Sequence, residues 1–402
     1  MIKSKKFIAI ILVFAFVFGV FLINEYSLIT ADKIAIVVGL GIDKVEDEYL
    51  LSAQVVIPPS ATKQENDKTN NTLLFSKGKT VAETVDKLFL GTGWYPKLNF
   101  CNIIVMSEEV AKEGVLNSLE YFLRSEKVMD SCILLIAKDC LSSTLLKAST
   151  PLDNVSSYTL QKILFEEGIQ TSVIQTNIKD FYERILSGYV SNVVPTGSIL
   201  EKSVDASEKD TQSALLGQYD LFDLTTSAIF NADKLQGFLD KNDTRVYNLV
   251  AEKSVETTLE FTDFNKDLNK DITYSLQIIK ENKKIDYSLK NNVPTMTIDL
   301  EYKVKMIDSS YLEDEERANV VSLPLDQELL KSGEEKITKK FEHLFATIKN
   351  LNCDIFGVGK KLNAYSHKKW DEYINYDTFY NYPSKIDYQI NLTLTTLKED
   401  KP

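Results

Sequence analysis

The hydrophobic and polar positions divide the chain into one long apolar run and a patterned remainder. Residues 7–23 are apolar without interruption, with Lys3, Lys5 and Lys6 before them and Asn24 and Glu25 after. A helix of these seventeen residues spans about 26 Å against a hydrocarbon core of about 30 Å. Snorkelling lysines make up the difference. The charge bias places the N-terminus in the cytoplasm and the remainder outside. A cleaved signal is the second reading. The run is long for a signal peptide's apolar region, and the one candidate cleavage site ends at Ala31 with bulky Ile29 two residues earlier. A lipoprotein signal is disfavoured, because no cysteine precedes Cys101.

Beyond the run, 33–41 (KIAIVVGLG) and 48–58 (EYLLSAQVVIP) read as paired strands around a turn in DKVED. Residues 60–72 are polar and Asn-rich, a loop. Helical spacing places Val81, Val85, Leu88 and Phe89 on one face of 80–90. It then predicts one helix over 108–124, with Val115, Leu119, Phe122 and Leu123 inward and Glu108 and Glu109 in the first turn. Residues 100–106 and 132–137 read as strands, and helical patterning returns across 153–186. The polar stretch 201–214 is the best boundary. After it, Met296, Ile298, Leu300, Tyr302, Val304 and Met306 alternate onto one face, as do Ile386, Tyr388, Ile390, Leu392 and Leu394. Both segments read as antiparallel strands with one wet face. Between them, Ile337, Phe341, Leu344, Phe345, Ile348 and Leu351 form the buried stripe of a helix over 326–351.

The sequence therefore predicts an α+β, multi-domain protein of mixed and antiparallel sheets with packed helices, preceded by one N-terminal transmembrane or signal helix. The expected divisions are an anchor or signal segment at 1–24, a domain at 30–200, a linker at 201–216 and a second domain at 217–400, with room there for two subdomains.

A net charge of −12 changes the list of partners. An acidic chain gains nothing from counterion release at phosphates, which sets nucleic acid aside. Four cysteines, Cys101, Cys132, Cys140 and Cys353, form no CxxC pair, so zinc and thiol-redox motifs have no spacing to rest on. Cys101 and Cys132 fall in strand-like apolar runs and read as buried free thiols, with a bridge between paired strands as the alternative.

Several fragments imitate chemical motifs. Gly39-Leu40-Gly41 follows a strand but lacks the third glycine of a dinucleotide fingerprint, having Lys44 there, so it reads as a strand-ending turn. Asp263, Asn265 and Asp267 open like an EF-hand loop, yet Leu268 replaces the turn glycine and Tyr274 the bidentate acid. Asp354-Ile355-Phe356-Gly357 has no companion kinase motifs. Of the two histidines, His343 reads as a surface residue and His367 as a structural loop residue near Trp370. The acidic run Glu313-Asp314-Glu315-Glu316 reads as a solvated face. No catalytic, cofactor or metal constellation emerges, and the expectation is a protein that is not an enzyme.

Seven segments, in order, resemble one family, the C subunit of the spore germinant receptor of endospore-forming bacteria (Ger(x)C). They are DKIAIVVGLGID (32–43), GKTVAETVDKL (78–88), YPKLNFCNIIVMSEEVAKEGV (95–115), YFLRSEKVMDSCILLIAK (121–138), STPLDNVSSYTLQKIL (149–164), FNADKLQGFLD (230–240) and DIFGVGKKLNAYSHKKWDEY (354–373). The family-matching positions are Gly39, Gly41, Asp43, Arg124, Asp354, Gly357 and Gly359. Glycines there read first as turn residues with positive φ, and Arg124 as an ion pair or cap as readily as a partner contact. The resemblance implies three α+β domains, no cofactor, and a non-enzymatic scaffold or coupling subunit. Its implied partners are an A subunit and a transporter-like B subunit, in the inner membrane of the spore, with the body on the extracytoplasmic side. The chain departs from the family pattern in lacking a lipid-carrying cysteine around 24–28 and in having Met129 where relatives often carry an arginine. The competing readings are a membrane-anchored solute-binding module and, less favoured, an anchored hydrolase.

Overall fold

The computed structural model describes residues 13–16, 18, 19, 34–56, 71–125, 127–148, 150, 153–165, 173–200, 221–252, 254–265, 269–310 and 325–396. Most of the expected anchor, the loop 60–72 up to residue 70, the linker 201–216, the run 313–316 and Asp267 lie outside the described residues. Within the apolar run, 13–16, 18 and 19 are helical, and Val13, Phe14, Phe16 and Phe18 are exposed. Among the described residues no helix is long and apolar enough to cross a membrane.

Strands β1 (Ile34–Val45) and β2 (Glu48–Val56) form a hairpin. Its turn residues, Glu46 and Asp47, have φ of 52° and 63°, the left-handed pair that matches the twist of a two-residue hairpin. Strand β3 (Asn71–Gly78) adds to β2, and helix α1 (Val81–Thr92) packs behind it. Strand β4 (Tyr95–Lys97) pairs in parallel with the start of β1. Next come β5 (Ile103–Ser107), α2 (Glu108–Glu113), α3 (Leu116–Ser125), β6 (Ile133–Ala137), α4 (Ser142–Lys147), α5 (Ser156–Phe165), α6 (Ile178–Ser187) and β7 (Asn192–Ile199). Strands β1, β5, β6 and β7 are mutually parallel neighbours. Every residue of β5 and β6 is buried, as a parallel strand covered on both faces requires. Ile104 and Met106 face the core shared with α1, α2, α3 and α6. Ile103 and Val105 face α4 and α5.

The predicted single helix over 108–124 is two helices. Gly114, at φ 134°, closes α2 so that the Val115 N–H can donate to the Asp233 carbonyl at 2.9 Å. Asp233 lies in the turn between β9 (Ser227–Asn231) and β10 (Lys234–Leu239). The sheet thus does not stop at residue 200. Strand β8 (Phe222–Asp223) and then β9 pair antiparallel to β7, and β10 pairs to β9, giving ten strands in the order β10-β9-β7-β6-β5-β1-β2-β3 with β4 and β8 attached at β1 and β7.

Helix α7 (Lys241–Ala251) leads to the second sheet, in the order β11 (Thr258–Asn265), β12 (Lys270–Lys290), β13 (Val293–Ser309), β14 (Asp387–Thr396). The alternating face Met296 to Met306 is buried, as its pattern predicts. Strands β13 and β14 are parallel, however, with Thr295 opposite Asp387 and Val304 opposite Thr396. The chain leaves β13 at its Ser309 end, passes through helix α8 (Gln327–Asn350), and enters β14 beside the opposite end of β13, the crossover that a parallel pair needs. The stripe Ile337, Phe341, Leu344, Phe345 and Ile348 of α8 is buried with this sheet. Three short helices close the unit: α9 (Val358–Tyr365), α10 (His367–Tyr373) and α11 (Tyr376–Lys385). His367 therefore opens a helix rather than sitting in a loop. It is exposed, with Nδ1 3.0 Å from Asn363 Oδ1 and Nε2 3.2 Å from Asp371.

Candidate functional site

The residues singled out in the sequence fall in three places. Gly39, Gly41 and Asp43 lie together on β1. The two glycines sit inside the strand, which continues to Val45, and not at a strand-ending turn. Close approach is what they provide. A Cβ at 39 would stand 2.0 Å from Ser157 Oγ, and one at 41 would stand 2.2 Å from Ser52 Oγ and 2.5 Å from Ser142 Oγ. Helices α4 and α5 therefore lie directly on the strand backbone. Asp43 is fully buried, and its carboxylate accepts the Ser142 N–H and the Ser142 hydroxyl, both at 2.8 Å. It fills the start of α4, where helix amides lack partners. Burial pushes its pKa up, against those hydrogen bonds, which lower it.

Gln54 on β2 extends this polar seam. Its Nε2 donates to the Leu146 carbonyl at 3.0 Å, and its Oε1 accepts the Ser157 N–H at 3.0 Å and the Ser156 hydroxyl at 3.2 Å. Gln54 was not legible as a site residue in the sequence. The only signal was a large polar side chain, two residues from Ser52, within the otherwise apolar LLSAQVV.

Arg124 stands apart. It is at the exposed end of α3 and pairs with Glu120 one turn back at 2.5 Å.

Asp354, Gly357 and Gly359 form a hub where the two sheets' layers meet. Asp354 is fully buried. Its carboxylate accepts the N–H groups of Val358 at 2.9 Å and Gly359 at 2.8 Å, which are the first amides of α9. Gly357 reaches the helix start at φ 68°, a value that favours glycine. Tyr382 from α11 places its hydroxyl 3.0 Å from Asp354 Oδ2 and 3.0 Å from the Tyr189 carbonyl. A Cβ at 359 would lie 2.5 Å from that hydroxyl, so only glycine admits the phenol. The backbone of Asp354 is tied to the first half as well. Its carbonyl accepts the Ser191 N–H at 2.9 Å, and its N–H donates to Ser191 Oγ at 3.0 Å. Around this core Tyr189, Trp370, Phe379 and Tyr382 pack edge to face, with centroids 5.3–6.1 Å apart. A cleft of about 190 Å³ opens beside it, lined by Arg184, Tyr189, Ser191, Tyr380 and Tyr382.

Burial pushes the Asp354 carboxyl up to about 6, against the opposing pull of the Gly359 and Val358 amides and Tyr382. The phenol of Tyr382 carries one hydrogen for two acceptors. A proton on Asp354 lets Tyr382 donate to Tyr189 while accepting from the acid. The arrangement is thus a buried, proton-sensitive joint.

Asp240, Asp243 and His343 bring ligand atoms within 4.8 Å of one another, the one potential metal-ligand group among the described residues. Each has a protein partner already. Asp240 caps α7 by accepting the Asp243 N–H at 2.8 Å, and Asp243, buried, accepts from His343 Nδ1 at 2.9 Å. Burial raises the Asp243 pKa, and the hydrogen bond to Asp243 raises that of His343. The pair fastens α7 to α8 over 100 residues of sequence, a contact that no spacing rule reveals. His343 itself is exposed, as its place off the stripe predicts.

Cys101 and Cys132 lie just before β5 and β6, buried and free, with sulfurs 4.0 Å apart. The Asp263 hairpin carries a long 4.0 Å ion pair to Lys336.

The family described as "Spore germination protein N-terminal domain" matches residues 30–199, and "Spore germination B3/ GerAC like, C-terminal" matches residues 225–397. The solved structure titled "Crystal Structure of the GerBC protein" superposes over 90% of this chain and 97% of that one, with TM-score 0.51 at 15% identity. That likeness is one of fold. Among curated protein sequences none matches the chain. With both domain families matched in order over most of its length, the chain belongs to the GerAC-like family of spore germination proteins, the germinant-receptor C subunits.

Proposed function

We propose that this chain is the non-enzymatic C subunit of a nutrient germinant receptor, a scaffold that couples its A and B subunits during spore germination. In this reading residues 7–23 are an uncleaved anchor in the spore inner membrane, and the body lies on the extracytoplasmic side. The observation that carries the reading is the match of both family domains, 30–199 and 225–397. The polar seam at Asp43 and the hub at Asp354 suit a scaffold. In both, a buried carboxylate is engaged by the first amides of a helix, α4 at Asp43 and α9 at Asp354.

Deleting the gene tests the reading. Spores form normally and respond poorly to nutrient germinants, while germination by a route that bypasses nutrient receptors is unchanged. Normal germination with every nutrient overturns it. A thermal shift of the purified body with an amino acid or sugar would instead favour a solute-binding module, because a ligand of the native state stabilises it.

A further inference from the structure

The two ends of the large sheet differ in character. At the far end of β1, beside its hairpin with β2, the surface is charged and paired: Lys44 with Glu113, Lys77 with Glu46 and Glu48, and Lys112 with Glu108. At the near end, where β1 begins, several large apolar or aromatic side chains are exposed beside Lys97. Leu90, Trp94 and Tyr95 project there, at 77%, 37% and 37% exposure, from the end of α1 and the start of β4. β4 pairs with Ile34–Ile36, so these residues stand beside the first strand residue of the chain. Beside Trp94 opens a cavity of about 330 Å³, lined mostly by apolar side chains, Ile34, Ala35, Val55, Val56 and Leu74, together with Thr72 and Thr92.

Covalent reach supplies the occupant. Ten residues, 24–33, separate the apolar run from Ile34. Fully extended they span about 40 Å at most, including the bonds at each end. The near end therefore lies within about 40 Å of the end of residues 7–23, and the charged end points the other way along the strand. Tryptophan and tyrosine are the side chains that favour the headgroup level of a bilayer, with an apolar body and a polar edge. Lys97, exposed at the end of β4, can extend its ammonium to the phosphate layer.

We infer that the near end of the large sheet docks on the phospholipid bilayer, with Leu90, Trp94 and Tyr95 in the headgroup region and the cavity mouth closed by lipid. The inference rests on the reading of residues 7–23 as an anchor, and it adds that the body lies on the membrane instead of hanging from it.

The full-length chain has two tryptophans, Trp94 and the fully buried Trp370, so Trp94 is a built-in probe. The chain is reconstituted in phosphatidylcholine vesicles with and without bromine on the acyl chains, and compared with a Trp94→Phe chain. The wild-type emission should fall on bromination, as a Trp94 at the interface requires, and the Trp94→Phe emission should not change. Flotation after an alkaline wash reports the anchor separately. A chain that floats with its Trp94 unquenched overturns the docking and leaves the anchor standing. A chain that neither floats nor is quenched overturns both. Quenching without wash-resistant flotation supports the docking and overturns the anchor. Trp94 that is shielded from aqueous quencher only when a second membrane protein is co-reconstituted assigns the patch to a protein contact and overturns the lipid proposal.

Discussion

Replacing Asp354 removes the carboxylate that caps α9 and meets Tyr382 of α11, and leaves the backbone bonds to Ser191 in place. In Asp354→Ala two amide donors, Val358 and Gly359, lose their acceptor in a fully buried site. Tyr382 keeps the Tyr189 carbonyl, so the phenol is not orphaned. Each unsatisfied buried donor costs about 1–3 kcal/mol, which sums to roughly 4 kcal/mol and is a large share of a typical folding stability. Asp354→Asn retains one acceptor oxygen and the shape, and its effect depends on pH. The folded-state pKa of Asp354 is about 6, above the ordinary 3.8. The folded state therefore binds the proton more tightly than the unfolded chain does. The stabilisation from that proton is complete below about 3.8 and is lost as the pH rises through 6, a span worth roughly 3 kcal/mol. Wild type should thus gain stability relative to Asp354→Asn as the pH falls from 7.5 to 4.5. Urea unfolding followed by circular dichroism at several pH values reads both effects as shifts of the midpoint at constant slope. An Asp354→Ala midpoint within about 1 kcal/mol of wild type, or a wild-type-minus-Asn difference that is flat with pH, refutes the reasoning.

Gly39→Ala places a Cβ 2.0 Å from Ser157 Oγ, in contact with a seam tied to Gln54, and should cost about 1–3 kcal/mol by overpacking; thermal unfolding that matches wild type would show that α5 yields freely. In native protein at pH 8 the thiol reagent DTNB should modify Cys140 first and slowly, since it is half-buried with its pKa pushed up by burial to about 11. Cys101, Cys132 and Cys353 should react only after denaturant is added, and mass spectrometry of the labelled peptides decides the order.

What was legible in the sequence was whatever a local period encodes. Helix α8 matches its expected span closely because six stripe residues at helical spacing leave no other solution. The alternation from Met296 to Met306 gave the buried face of β13 for the same reason. The direction of pairing was not encoded in that alternation, since a two-residue period is the same for parallel and antiparallel neighbours, and the parallel β13–β14 pair was missed. Gly114 divided an otherwise continuous helical pattern because a tertiary bond, Val115 to Asp233, takes the chain elsewhere. The hub was marked by resemblance alone at Asp354, Gly357 and Gly359. Its other members, Tyr189, Ser191 and Tyr382, lie up to 193 residues apart along the chain. Gly39 and Gly41 were recognised as special for a reason that did not hold: they clear space for serines and not for a turn.

The continuation of the large sheet past residue 220 governs how the molecule can move. Ladder bonds from Asn192–Pro195 to Ser227–Phe230 clamp the chain on both sides of 201–220. A swing about that segment would have to tear a buried strand pair and bare the flank of β7, an edge ready to pair with other chains. The strands on either side of it are thus members of one ladder. The second sheet is joined to this frame by α7 and by the seam where Asp354 and its aromatic neighbours meet Tyr189 and Ser191.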